Sequence, residues 1–218
     1  MKELILVRHG EAEHIVKKLT GGWTNLPLTD KGRMQARLAG ERLAELLKGH
    51  SFGFFCSDLK RAAETASIIS SRIGAQPRSM HCLREFNNGI AANQSLEQAR
   101  AIQRAVTHPL IDWFPFPESE NWRMLYNRVS YCLTEIENST GDTALIVAHG
   151  GVIITIIQWW LEFPEELLSK VSFHIDLCSI THLTINKLGE KTLIKLNDTC
   201  HLHGMSTPTP SPAPFPSI

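Results

Sequence analysis

The stretch Leu4-Ile5-Leu6-Val7-Arg8-His9-Gly10-Glu11 decides how the rest of the chain is read. Its first four residues are apolar and partly β-branched, with no polar alternation. That is the pattern of a strand buried on both faces within a parallel sheet. The run stops abruptly at a cation, an imidazole and a glycine. In an open α/β sheet, the carboxyl ends of the strands border the crevice where ligands bind. Gly10 permits a tight turn at that point and leaves room beside the backbone. The strand therefore delivers His9 to a place where chemistry can occur.

Working outward, the same arrangement recurs. Thr143–Ala148 is a second apolar run and ends at His149-Gly150-Gly151; Phe52–Cys56 is a third and runs into Ser57-Asp58. A helix over Asp58–Ile73, closed by Gly74, carries Arg61 on its first turn. Ala36, Ala39, Leu43, Leu46 and Leu47 recur at helical spacing after Thr29, the expected N-cap, with Gly49 as the stop. Strand, helix, strand, helix in succession predicts an α/β fold with a mostly parallel sheet and helices on both faces. Arg78–Leu83 reads as another strand. Trp122, Leu125, Val129, Leu133 and Ile136 form a helical stripe, Val152–Leu161 a further helix, and Ser179–Lys187 with Thr192–Asn197 a closing hairpin.

Residues 86–120 break this rhythm with an Asn- and Gln-rich stretch, an Ala/Arg-rich helical segment and Trp113-Phe114-Pro115-Phe116-Pro117. Such a segment suits a small lid-like insertion, in which Trp113 and Phe116 either pack the lid or touch a substrate. One domain is expected over 1–203, followed by a Pro-rich tail at 204–218 that cannot bury enough apolar surface to fold alone.

Composition narrows the partners. Of 218 residues, 43% are hydrophobic and 20% charged, and 22 basic side chains balance 22 acidic ones. Zero net charge removes the usual electrostatic case for nucleic acid or an anionic membrane as main partner. No apolar run approaches a membrane span and no leader segment is visible. The cysteines at 56, 82, 132, 178 and 200 are odd in number and scattered, which predicts reduced, mostly buried thiols and a cytoplasmic setting. Oligomeric state is left open, a dimer included.

In a parallel sheet the three strand ends lie along one edge. Arg8, Arg61, His9 and His149 would then share one crevice, and such a cluster calls for an anion. A tetrahedral phosphate fits, because guanidinium forks match its oxygens. Helix N-termini after Ser57 and Gly150 would add N–H donors. A neutral imidazole, held through its other nitrogen, can attack phosphorus while the cations stabilise the transferring oxygens. The leaving alkoxide needs a proton, which Glu85 on the rim could give; Glu11, Glu118 and Glu120 are alternative acids. No metal or cofactor is required. The plainer alternatives are Arg61 as an ion-pair partner of Glu64 or Glu11 and Ser57 as a helix cap, and they leave both histidines unexplained. Cys200, His201 and His203 lack a fourth ligand for zinc.

These residues carry a resemblance. Leu6-Val-Arg-His-Gly-Glu11, Ser57-Asp-Leu-Lys-Arg-Ala-Ala-Glu-Thr65, Leu83-Arg-Glu85 and Val147-Ala-His-Gly-Gly151 together resemble the histidine phosphatase superfamily, which includes the cofactor-dependent phosphoglycerate mutases. The blocks occur in the family's order from Lys2 to about Leu202, and Asn197–Leu202 is similar to its closing segment. The resemblance implies a three-layer α/β/α sandwich. It also implies that His9 forms a phosphohistidine, that Arg8, Arg61 and His149 bind the phosphoryl group, and that Glu85 acts as acid and then base. Ser57 and Gly150 are further candidate contacts. The chain departs from the family pattern at Ala12-Glu13-His14, at Asn87-Asn88-Gly89 and at Ser119-Glu120-Asn121, all expected at the pocket wall or lid.

The function expected is hydrolysis of a small soluble phosphomonoester. A phosphoglycerate mutase is the second enzymatic reading, and a non-catalytic phosphate-binding module is the third.

Overall fold

The computed structural model describes residues 1–204, so the Pro-rich tail expected from 204 lies, apart from Gly204, outside the described residues. Six strands form one sheet: β1 (Glu3–Arg8), β2 (Gly53–Ser57), β3 (Arg78–Met80), β4 (Thr143–Ala148), β5 (Ile180–Ile185) and β6 (Lys191–Asp198). Their order is β3-β2-β4-β1-β5-β6. The first four are mutually parallel, whereas β5 runs antiparallel to β1 and β6 antiparallel to β5. The expected hairpin is present. The helices are α1 (Glu13–Val16), α2 (Asp30–Leu46), α3 (Lys60–Ile73), α4 (Leu96–Ala101), α5 (Trp122–Ser139), α6 (Gly150–Trp160) and α7 (Glu165–Leu168).

Alternation along β1 shows the layering. Leu4 and Leu6 pack into one cluster with Leu125, Val129 and Leu133 of α5 and Val152, Ile153 and Ile156 of α6. Ile5 and Val7 face the other way, against Ala36, Ala39 and Leu43 of α2 and Ala62, Ala66 and Ile69 of α3. Successive strand side chains point to opposite faces, so an apolar run with no polar positions must be covered twice. The three-layer α/β/α sandwich follows.

Local signals place the helix ends. Thr29 accepts from the Gly32 N–H as the N-cap of α2, and Gly74 closes α3 in the left-handed conformation (φ +69°). The strand read over Arg78–Leu83 is shorter than expected. Only Met80 of β3 is buried, and a 3₁₀ turn at His81–Leu83 takes over, lifting the chain off the sheet edge. Between β1 and α2 the chain forms α1 and a bridge from Ala12 to Leu28.

Segment 86–120 has its own small cluster of Ala91, Ala99 and Phe116. It is tied to the loop after β1 by the Leu19–Ser95 bridge and by the Thr20 N–H on the Gln94 carbonyl. Trp113 and Phe116 are 5% and 8% exposed, and the Trp113 indole N–H donates to the Ala105 carbonyl. Both aromatics pack this segment and offer no substrate surface.

The cysteine expectation needs correction. Cys82 and Cys132 form a disulfide with Cα atoms 5.7 Å apart, across 50 residues of sequence. The 3₁₀ turn after β3 lies against α5, and this tertiary proximity has no counterpart in the spacing of the cysteines. Cys56 and Cys178 are buried free thiols, and Cys200 is an exposed one. Among the described residues no helix is long and apolar enough to cross a membrane.

Candidate active site

The sheet register sets the site. Arg8 pairs with Ala148 and Cys56 with Val147, so β1, β4 and β2 end nearly level. The His9 N–H continues the ladder onto the Ala148 carbonyl. Arg8, His9, Ser57 and His149 are thereby brought together at one edge, and the first turn of α3 adds Arg61.

His9 is 3% exposed. Its Nδ1 lies 2.8 Å from the Gly10 carbonyl. A carbonyl can only accept, so the proton belongs on Nδ1 and the lone pair on Nε2. Nε2 in turn accepts from the Arg61 Nε–H at 3.1 Å. Burial, reinforced by Arg61, Arg8 and His14, holds this imidazole well below its ordinary pKa, and the Gly10 bond opposes them only in part. The result is a neutral imidazole with its basic nitrogen facing a guanidinium.

Arg61 is 1% exposed and its orientation is fixed by backbone. Its two terminal nitrogens donate to the carbonyls of Thr24 and Gly22, each at 2.7 Å. Gly22 adopts φ +54°, and a Cβ there would lie 2.2 Å from the Asn88 side-chain oxygen. Only glycine presents its carbonyl to Arg61 in this way. Burial lowers the Arg61 pKa to about 10; Glu85 opposes the shift and Arg8 adds to it. Arg8 is held by a bond from a terminal nitrogen to the Ile175 carbonyl at 2.5 Å. Burial depresses it too, against Glu85, Asp176 and Cys178. Neither arginine pairs with Glu64 or Glu11. Glu64 serves Arg33 and the Leu28 N–H, while Glu11 serves Lys31 and Thr29.

His149 is fully buried, and its ring centroid is 5.1 Å from that of His9. Burial first, then Arg61, His9, Arg8 and His14, push its pKa well down. Its Nε2 lies 2.8 Å from the Ser57 hydroxyl, which also accepts from the Leu59 N–H. Ser57 therefore orients His149 and is not the α3 cap, a position held by Leu59. Gly150 lies against Arg8, with a Cβ at that position 3.7 Å from the guanidinium carbon.

Glu85 reaches the same edge from a different scaffold. One carboxylate oxygen accepts from the Phe86 N–H at 2.9 Å and the other from the Gly151 N–H at 3.2 Å. A Cβ at Gly151 would stand 2.5 Å from this carboxylate, so the second glycine of His-Gly-Gly makes the approach possible. Arg128 of α5 braces the segment by donating to the carbonyls of Cys82 and Arg84, each at 2.8 Å, and of Glu85 at 3.3 Å. Arg128 also pairs with buried Glu120, which accepts from the Asn87 N–H. The Trp23 indole donates to the Glu85 carbonyl at 2.8 Å, and Arg84 stacks over that indole while pairing with Asp58. Glu120 is thus engaged as a brace and Glu118 is exposed, which leaves Glu85 as the carboxylate at the strand ends.

Sequence reading missed several groups. The Gly22 and Thr24 carbonyls that hold Arg61 are backbone groups and carry no side-chain signal. His14 stood out only as a departure from a pattern, yet it is 7% exposed and its ring centroid is 6.2 Å from that of His9. The Arg128–Glu120 brace carried no local signal. Among the described residues no group of histidines, cysteines and carboxylates could hold a metal ion, and His201 is instead bonded to the Cys178 carbonyl.

Comparison with known proteins is consistent with this arrangement. The chain is 31% identical over 208 residues to a protein named phosphoserine phosphatase 2 from Hydrogenobacter thermophilus, covering 92% of this chain and 98% of that one. It is 30% identical over 188 residues to a protein named phosphoglycerate mutase GpmB from Escherichia coli O1:K1, covering 84% and 85% respectively. The fold matches the mycobacterial glucosyl-3-phosphoglycerate phosphatase structure complexed with VO3. That match has a TM-score of 0.76 at 22% identity, over 91% of this chain and 100% of that chain. The model of the histidine phosphatase superfamily (branch 1) matches residues 4–199. Strand ends, site and sequence agree, and the chain belongs to the histidine phosphatase superfamily.

Proposed function

We propose that the chain is a metal-independent phosphomonoester hydrolase working through a phosphohistidine on a small soluble phosphorylated metabolite. The observation that carries this reading is His9 itself: neutral, protonated on Nδ1 by geometry, and with Nε2 pointed into a cluster of two guanidiniums and a second imidazole.

In the first step Nε2 attacks phosphorus and the bond from phosphorus to the leaving oxygen breaks. Arg61 exchanges its bond to Nε2 for one to a phosphoryl oxygen, and Arg8 and His149 share the remaining charge. Glu85 in its acid form gives its proton to the departing alkoxide, whose conjugate acid is too weak to leave unassisted. In the second step the Glu85 carboxylate takes a proton from water as that water attacks phosphorus, and His9 departs neutral. Each role is supplied by a side chain already at the strand ends, which supports a reaction without a metal or cofactor. We place the whole of 1–203 in one catalytic domain, with 86–120 as its lid, acting as a cytoplasmic enzyme.

The test is trapping with a labelled phosphate donor in enzyme quenched with alkaline detergent. The parent should carry alkali-stable, acid-labile label, and His9→Ala should lose both label and turnover. Retention of either would sink the proposal. The relatives named phosphoglycerate mutase support a second reading, in which the phosphoryl group returns to a hydroxyl instead of water. Incubation with a phosphoglycerate separates the two by isomer formed against free phosphate released.

A further inference from the structure

We propose that His14 is a further phosphoryl-binding residue, a third imidazole that donates an N–H to the phosphoryl group held between Arg8, Arg61 and His9. The inference rests on the His9-centred reading above and adds a ligand to that site.

His14 sits on α1 just past the Arg8-His9-Gly10 turn. Its side chain is more than nine-tenths buried, and its Nδ1 has no hydrogen-bond partner among the described residues. A buried polar nitrogen without a hydrogen bond is destabilising, so such groups in native folds call for an explanation. A core histidine normally finds a carbonyl or hydroxyl. His14 instead has the bare backbone of Gly21 on one side, where a Cβ would be 3.6 Å from its Nε2. On the other side is the His9 ring, inclined at 60°. The two rings do not stack but meet edge-on, with their centroids 6.2 Å apart, which puts the His14 imidazole beside the nucleophile.

The charge environment says what fits there. Burial, Arg61 and Arg8 hold His14 near a pKa of about 3, so it is a neutral imidazole. A neutral imidazole still carries one N–H, and it can donate without adding a third positive charge beside two guanidiniums. A phosphoryl oxygen is an acceptor of the required sign, brought by the substrate to this position. A buried water is the competing occupant, and it would leave phosphate affinity independent of residue 14.

The experiment uses inorganic phosphate as the probe against the full chain, as an inhibitor of turnover and in 15N-histidine NMR. His14→Phe should raise both the phosphate inhibition constant and KM by about tenfold, the size of one hydrogen bond to a charged group. His14→Gln, whose amide still donates, should recover to within about threefold. The His14 ring nitrogens of the parent should shift on saturation with phosphate. If both constants stay within about twofold in His14→Phe, the proposal is overturned. Should that variant fail to fold, unshifted His14 nitrogens at saturation overturn it equally. The hydrolase reading fails separately, by turnover surviving in His9→Ala, while the NMR titration still decides His14.

Discussion

The two halves of the candidate site are built by different means. The nucleophile half, with Arg8, His9, Ser57 and His149, hangs on the ends of β1, β2 and β4, where the ladder register alone sets relative heights. The acid half, Glu85, hangs on a 3₁₀ turn and an irregular segment beyond the short edge strand β3. Its position comes from side chains of another layer: Arg128, the Glu120 that Arg128 holds, and the Cys82–Cys132 link to α5. A strand end is placed by many backbone hydrogen bonds, whereas Glu85 is placed by a few contacts reaching across the fold. The acid should therefore be easier to displace without unfolding the protein.

The largest expected effect comes from removing the acid itself. Glu85→Gln should slow hydrolysis of an alkyl phosphomonoester by about 10²–10⁴-fold, the usual range for general acid catalysis. An aryl ester such as p-nitrophenyl phosphate, whose leaving group needs no proton, should lose far less in the first step. Phosphohistidine would then accumulate, because the second step still needs the base. Equal losses in the first step on both ester classes would assign the proton to another group.

Displacing Glu85 without removing it is the next test. Arg128→Ala deletes three hydrogen bonds to the 82–85 backbone and frees Glu120. We expect a loss of about 10–100-fold in kcat on alkyl esters, partly restored in Arg128→Lys, with KM and the pre-steady-state burst on the aryl ester much less affected. A purely structural role would lower the aryl burst and the alkyl rate together with the melting temperature.

The smallest effect separates the halves by acid sensitivity. His9, His14 and His149 are held neutral in the folded chain by burial and by Arg61 and Arg8. Once unfolded they titrate near 6.5, so below that pH the unfolded chain binds more protons and stability falls. Each histidine contributes a slope of about 1.4 kcal/mol per pH unit, and the His14 share continues down to its folded value of about 3. Thermal melts between pH 6.5 and 4.5 should show a shallower decline in His14→Gln than in the parent. An identical decline would mean that His14 does not carry this linkage.

The same division explains what the amino-acid order could reveal. Apolar runs, helical spacing, Thr29 and Gly74 are local signals, and they placed the sandwich and the strand ends that gather His9, His149 and Arg61. The motifs ride on those ends. Arg128 and Glu120 lie eight residues apart and brace a segment more than thirty residues away, a relation that no local pattern encodes. The cysteine pair and the shortened β3 belong to the same class, since both depend on α5 meeting the turn at His81–Leu83. His14 was visible only as a mismatch, because its meaning depends on which side of α1 faces the crevice.

The acceptor for His9 Nδ1 is the peptide carbonyl of the next residue. No side-chain replacement anywhere in the chain can delete that oxygen, so the tautomer that exposes Nε2 is written into the main chain. Genetic drift can act on it only indirectly, by shifting the turn. At Gly10 that route is narrow: its N–H is held by Thr65, and a Cβ there would lie 2.6 Å from the Gly32 carbonyl.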